Sequence, residues 1–396
     1  MAQPPTAQQE GAPIVLRDLT LIRDRKVVRF DENIILLSDG SRLSWDRVLK
    51  ATVDKSRQAE FDLLIENQGL PLYRLRRRIE LADWSQVLSA AEPVYQQLLS
   101  GESLTTDTKY LAALGMMRGH QHAGQRTASV QPFLRAARLQ PSISPELKKS
   151  LADQLLSPTE VETQLADDLV PIWFDLKSIE TDFESLQSFL DATENSDSAG
   201  AMIYFASLAA ARSRQPALQP QRESSSDSAT DQPAEQTQEE RNQDRIDQAM
   251  TAIEELGKLP EPLRGWKVLL TAQMNLNQQR FEPARIALNN QRNYFDRAPP
   301  NQQAVAKLLK AQALKTATTD SARVDAILSL LSIPARWENQ YPTLASAALY
   351  EAIQVAEKRE TAEEMRIIRD ELLAKYPSTY HGRLAKQPAA IDPFGG

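Results

Sequence analysis

Residues 265–290 read GWKVLLTAQMNLNQQRFEPARIALNN, and the fold turns on what this stretch becomes. Trp266, Leu269, Leu270 and Met274 recur at the spacing of a buried helix face. Phe281, Ala284 and Leu288 then open a second stripe of the same period. Two short helices joined by a turn, with no strand between them, predict a helical hairpin.

The same pattern runs outward in both directions. Pro260/Pro262, Pro299/Pro300, Pro334/Pro342 and Pro377 punctuate the C-terminal third every ~35–43 residues, the range of helix-pair repeats. Towards the N-terminus, Phe61, Leu64 and Ile65 form one stripe, and Leu72, Leu75 and Ile79 another across a Gly69-Leu70-Pro71 break. Trp84, Val87, Leu88 and Ala91 lead to Tyr95, Leu98 and Leu99, with Gly101 placed as a C-cap. Further helices are expected over 103–119, 126–139 and 145–156. Between 160 and 192, Val161, Leu165, Leu169, Ile172, Trp173, Phe174, Ile179, Phe183, Leu186 and Leu190 are taken as helical positions. Composition agrees: glycine is scarce, 13 in 396 residues, and aromatics make up 6%. Scarce glycine among abundant helix formers argues against a large sandwich, a barrel or a glycine-rich nucleotide fold.

On these residues the chain resembles the tetratricopeptide repeat. Ala272 to Ala284 reproduces that family's small-to-small step, and Phe281-x-x-Ala284 its aromatic-x-x-Ala opening of the second helix. Leu111, Leu114, Gly115, Ala128, Phe133, Ala136 and Pro141 form a looser match. Ala352, Val355, Ile368, Leu372 and Tyr376-Pro377-Ser378 keep the unit's ending, with Glu364 where a small residue belongs. The resemblance implies an α-solenoid of antiparallel helix pairs whose first helices line a concave groove. A generic helical-hairpin solenoid is the alternative.

Residues 14–50 carry the strand signature of the chain: branched residues from Ile14 to Ile22, then Val27, Val28, Phe30 and Ile34 to Leu37. Asp39-Gly40 predicts a two-residue type I′ hairpin, after which Leu43 and Trp45 alternate with polar residues as a strand. The expectation is one small β meander capping the helices. The remaining organisation is a disordered 1–13, helical repeats over 51–212, a polar disordered insertion at 213–245, repeats over 246–385 and a disordered 386–396. From Gln219 to Arg245 there is no large apolar residue to offset ordering entropy. Phe205, Leu208 and Ala209 before the tract, and Ile246, Ala249, Ile253 and Leu256 after it, have the spacing of one repeat's two helices, which predicts 199–212 packed antiparallel against 246–258. The tract therefore reads as an insertion in a helix–helix turn, the plainer reading being a linker between domains.

Chemistry is sparse. The net charge of −7 gives no overall attraction for nucleic acid or anionic membrane, and cysteine is absent. His120 and His122 are expected in an exposed loop, without the further ligands a metal needs. No serine-hydrolase elbow or phosphate-binding loop occurs. The reading is therefore not an enzyme, with no cofactor, metal or catalytic residue assigned. An enzyme built around Arg74 and His120 is the reading that would overturn it. Arg74, Arg77 and Arg78 share a helix face as a candidate partner-binding patch, or are neutralised by Glu66, Glu80 and Asp83. The tetratricopeptide resemblance implies that Gln273 and Asn277, polar positions between the apolar ones of a first helix, face the groove as candidate partner-binding residues.

These observations predict a mainly α, non-enzymatic scaffold or adaptor that binds a protein or peptide partner through a concave helical-repeat surface. It would have no nucleic-acid partner and no transmembrane segment, and would be cytoplasmic. The alternative is an exported cell-envelope structural or assembly factor whose signal lies upstream of Met1, as Ala2-Gln3-Pro4-Pro5 resembles the flank of a cleavage site.

Overall fold

The computed structural model describes residues 13–100, 104–192, 198–214, 238–315, 319–357 and 362–386. The chain is mainly helical, with small antiparallel sheets near its N-terminus. It divides into two compact units, one formed by residues 1–125 and 131–161, the other by 126–130 and 162–396. The boundary falls at Val161/Glu162, upstream of the polar tract.

The first unit opens with β1 (Ile14–Leu16), β2 (Leu21–Ile22), β3 (Val27–Phe30), β4 (Ile35–Leu37), β5 (Arg42–Leu43) and β6 (Val48–Lys50). They do not form one meander. β1 pairs with β2 on one side and with the distant β6 on the other, so β3-β4-β5 closes as a separate sheet. The hairpin also departs from expectation. Gly40 has φ +80°, Asp39 does not have a positive φ, and Leu37 O accepts from Gly40 N at 2.9 Å. That is a three-residue loop with glycine in the left-handed position, where a type I′ turn would need both central residues there. The strand after it ends at Leu43, and Trp45–Arg47 form a 3-10 turn. The reason lies in Trp45, whose Nε1 donates to Asp31 O at 3.0 Å while its ring packs on Phe61 of the first helix at 5.1 Å. Phe30 meets Phe61 at 5.0 Å, so one aromatic cluster joins the sheets to the helices.

That first helix, α1 (Gln58–Leu64), passes through a π turn (Ile65–Gly69) into α2 (Leu70–Glu80). The expected break at Gly69-Leu70-Pro71 is thus a widened turn in one run, which leaves Pro71 near a helix start where its missing N–H costs little. α3 (Val87–Leu99) packs against α4 (Thr106–His122). Gly119 lies inside α4: a Cβ there would sit 2.5 Å from Leu88 Cγ, so glycine permits the close helix crossing. α4 continues to His122, which places His120 and His122 in its last turn and not in a loop. α5 (Val130–Leu139), α6 (Pro145–Ser150) and α7 (Pro158–Thr163) follow. Arg76 of α2 joins the β module to these helices, bonding Asp46 at 2.8 Å and Glu80 at 3.0 Å, with Ser150 donating to Glu80 at 2.6 Å.

In the second unit α8 (Ile179–Asp191) leads to α9 (Ala199–Arg212), which packs on α10 (Gln238–Glu255). α11 (Gly265–Asn277) then packs on α12 (Phe281–Asn290), and a short α13 (Arg292–Phe295) follows. α14 (Pro300–Ala313) packs on α15 (Asp320–Trp337), α16 (Pro342–Glu357) on α17 (Ala362–Lys375), and α18 (Tyr380–Lys386) closes the described chain. The first members also pack on one another in order: α9 on α11, α11 on α14, α14 on α16 and α16 on α18. Ala272 and Ala284 are fully buried, as are Ala345, Ala348 and Ala352 of α16, and small side chains there allow close helix approach.

Three boundaries differ from expectation. α15 runs through a buried Pro334, so that proline does not end it. α10 starts at Gln238, inside the tract expected to be disordered to 245; its charged first turns need no apolar partner while Ala249 and Ile253 anchor the rest. Residues 164–178 are not helical. The disorder expected at 1–13 and 386–396, the remainder of the 213–245 tract and the Gly101 C-cap lie largely or wholly outside the described residues.

Candidate functional site

The non-helical stretch between α7 and α8 is the place to begin. Its sequence from Leu169 is Leu-Val-Pro-Ile-Trp-Phe, and Pro171 disfavours helix at the residue before it. Leu165, Leu169, Val170, Ile172 and Trp173 are nonetheless buried. Buried backbone outside a helix must find partners elsewhere. Arg126 supplies two, donating to Ile172 O and to Val170 O at 3.1 Å each. Tyr204 of α9 supplies two more: its hydroxyl donates to Leu169 O at 2.9 Å and accepts from Ala166 N at 3.1 Å. Trp173 Nε1 donates to Ser207 Oγ of α9 at 2.9 Å. Burial lowers the Arg126 pKa to about 10, which leaves it charged at neutral pH.

From Pro171 to Lys177 the stretch lines a cavity of about 1120 Å³. Its other walls are side chains of α8, α9, α10, α11, α12, α14, α16 and α18, and of these α9, α11, α14, α16 and α18 pack in series. The walls are chemically graded. At the α9 side, Arg212 and Arg245 share one carboxylate, Glu180, at 2.8 and 2.9 Å. In the middle, Gln273 Nε2 donates to Asn277 Oδ1 at 3.0 Å, and Asn277 Nδ2 donates to Ala210 O at 2.8 Å. Next to these, Lys315 bonds Glu351 at 3.0 Å and also Gln354, and Gln312 donates to Glu351 at 3.3 Å.

The α18 side is aromatic. The His381 ring lies 4.7 Å from Phe174, 5.3 Å from Tyr350 and 5.1 Å from Tyr380. It is 5% exposed and its Nδ1 has no hydrogen-bond partner. Burial lowers its pKa to about 4, so the imidazole is neutral at physiological pH. Adjacent residues therefore touch the two ends of the helix series, Trp173 on α9 and Phe174 on α18.

Gln273 and Asn277 line this cavity. Arg74, Arg77 and Arg78 belong to the other unit, on α2. There Arg77 bonds Glu80 at 2.6 Å and Arg78 bonds Asp83 at 2.7 Å, while Arg74 is exposed. Two of the three are thus engaged in local ion pairs, the commoner fate of a charged helix face. His120 Nδ1 is bonded to Gln125 Oε1 at 2.8 Å, and among the described residues no hydrogen bond or ion pair joins it to Arg74. No group of three or more metal-ligating side chains occurs among the described residues. No described helix is long and apolar enough to cross a membrane.

Lys315, Tyr350, Glu351 and His381 carry no site assignment from sequence, and Phe174, expected as a helical position, lies in the non-helical stretch. Pro171 within the apolar run was the one signal that 160–192 could not be helical throughout. His381 carries no local signal, because Phe174 and Tyr350 reach it from distant elements.

Comparison with protein-family models, with curated proteins and with solved structures finds no match. The tetratricopeptide resemblance therefore rests on the residues that carry it.

Proposed function

We propose that this protein is a non-enzymatic scaffold or adaptor. In this reading its helix pairs stack as a tetratricopeptide-like solenoid and bind an extended segment of a protein partner along α9, α11, α14, α16 and α18. The observation that carries it is the cavity these helices share, with Gln273, Asn277, Gln312 and Gln354 on its wall. An amide side chain both donates and accepts, so such a wall can pair with the N–H and C=O groups of an extended peptide. The chain's own residues 166–173 support the reading, since α9 already holds non-helical backbone at Ala166 and Leu169 through Tyr204, and the Trp173 side chain through Ser207.

Site-specific photo-crosslinking in the native host tests it. A photoreactive residue replaces Gln354 on the cavity wall or, as the control, Ile286 on α12, which is 49% exposed and does not line the cavity. The expected result is one recurrent protein adduct from position 354 and none from 286. Adducts from 286 alone, or from neither position, would contradict the proposal.

A further inference from the structure

Phe174 stands at a change in how the non-helical stretch is held. Up to Trp173 the backbone and side chains are fixed by Arg126, Tyr204 and Ser207. The Phe174 backbone makes no hydrogen bond among the described residues, and its side chain is half-buried where Ile172 and Trp173 are buried. What holds its ring is edge-to-face packing on His381. His381 in turn has aromatic neighbours on three sides and no hydrogen bond at Nδ1, so the surroundings select for a ring.

Charge points to what accompanies that ring. Among cavity-lining residues, Lys177, Arg212, Arg214, Arg245 and Lys315 are cationic, against Asp175, Glu180 and Glu351. Two guanidiniums share Glu180, and Lys315 is matched by Glu351. Arg214 and Lys177 make no ion pair among the described residues, leaving the cavity positive within a chain whose net charge is −7. The residue after Phe174 is Asp175.

We infer that the His381–Tyr350–Tyr380 end of the cavity is a seat for an aromatic side chain of the partner's extended segment, one followed by an acidic residue. Phe174-Asp175 occupies the seat in cis until the partner displaces it. A half-buried ring without backbone anchoring can leave by side-chain and local backbone rotation, while the stretch up to Trp173 stays in place. This inference rests on the proposed function, because it names the partner chemistry for the same cavity.

The test uses the full chain and a fluorescein-labelled peptide copying residues 173–178, WFDLKS, together with the same peptide bearing alanine in place of phenylalanine. Fluorescence anisotropy compares the unaltered chain with Phe174→Ala and Phe174→Leu, each first checked for an unchanged far-ultraviolet circular dichroism spectrum. Emptying the seat is expected to tighten binding of the phenylalanine peptide at least tenfold over the unaltered chain. The alanine peptide is expected to bind at least tenfold more weakly than its parent. Phe174→Leu guards against misfolding of the smaller variant and is expected to rank between the two chains. Equal binding to all three chains, equal binding of the two peptides, or no binding to either folded variant would overturn the inference. Crosslinking from position 354 in the Phe174→Ala chain separates the two claims. A retained adduct alongside failed peptide binding would sink the aromatic seat alone, and loss of the adduct from the unaltered chain would sink the groove itself.

Discussion

His381 shows how much a single side chain records of its surroundings. Burial disfavours the imidazolium and lowers its pKa to about 4, against about 6.5 in an unfolded chain. Between those values the unfolded state binds the proton more readily, so stability is fully present above about pH 6.5 and falls as pH drops towards 4. The shift corresponds to about 3 kcal/mol over that range. Urea unfolding of the unaltered chain and of His381→Phe, each at pH 7 and at pH 4.5, should show a smaller acid loss in the variant. Equal losses would mean that the imidazole is not buried in the neutral form. Single residues were also where the sequence was least legible. Gln273 and Asn277 could be named because they lie between apolar positions of a strongly periodic helix that the tetratricopeptide resemblance places along a groove; the structure puts both on the cavity wall. His381, Tyr350 and Phe174 meet across distant stretches of chain, and no spacing rule links them.

At the scale of elements, the stretch from Gln164 to Ser178 is non-helical and is held by side chains of other elements. Tyr204 is the pivotal donor and acceptor, bridging Leu169 O and Ala166 N in a fully buried setting. Removing its hydroxyl strands both groups away from water, at about 1–3 kcal/mol each. Tyr204→Phe should therefore lose on the order of 2–6 kcal/mol in denaturant unfolding, and a loss below about 0.5 kcal/mol would show that these bonds do not hold the stretch. The helix pairs of the C-terminal half were legible because their period and proline punctuation are local. The stretch at 164–178 was not, because apolar residues buried on every side carry neither a helical nor a strand period. The same limit explains the front sheets: the β1–β6 pairing joins residues far apart in sequence, whereas the turn signals that suggested a meander are local.

Over the whole chain, the pattern in the second unit is serial packing. Each of α9, α11, α14 and α16 backs onto its own partner helix and also touches the next of the series, ending at α18. Packing of this kind presents side chains from several helices to one cavity. The polar tract interrupts this series without separating it, since α9 and α10 on its two sides pack together. The most direct test of the central claim is carbene footprinting of the full chain with and without the partner captured from position 354. The expected result is loss of labelling on cavity residues such as Lys315, Tyr350 and Gln354, with exposed Met250, Ile286, Leu328 and Ile367 on the partner helices unchanged. Protection confined to those partner helices, or to the N-terminal sheets, would contradict it.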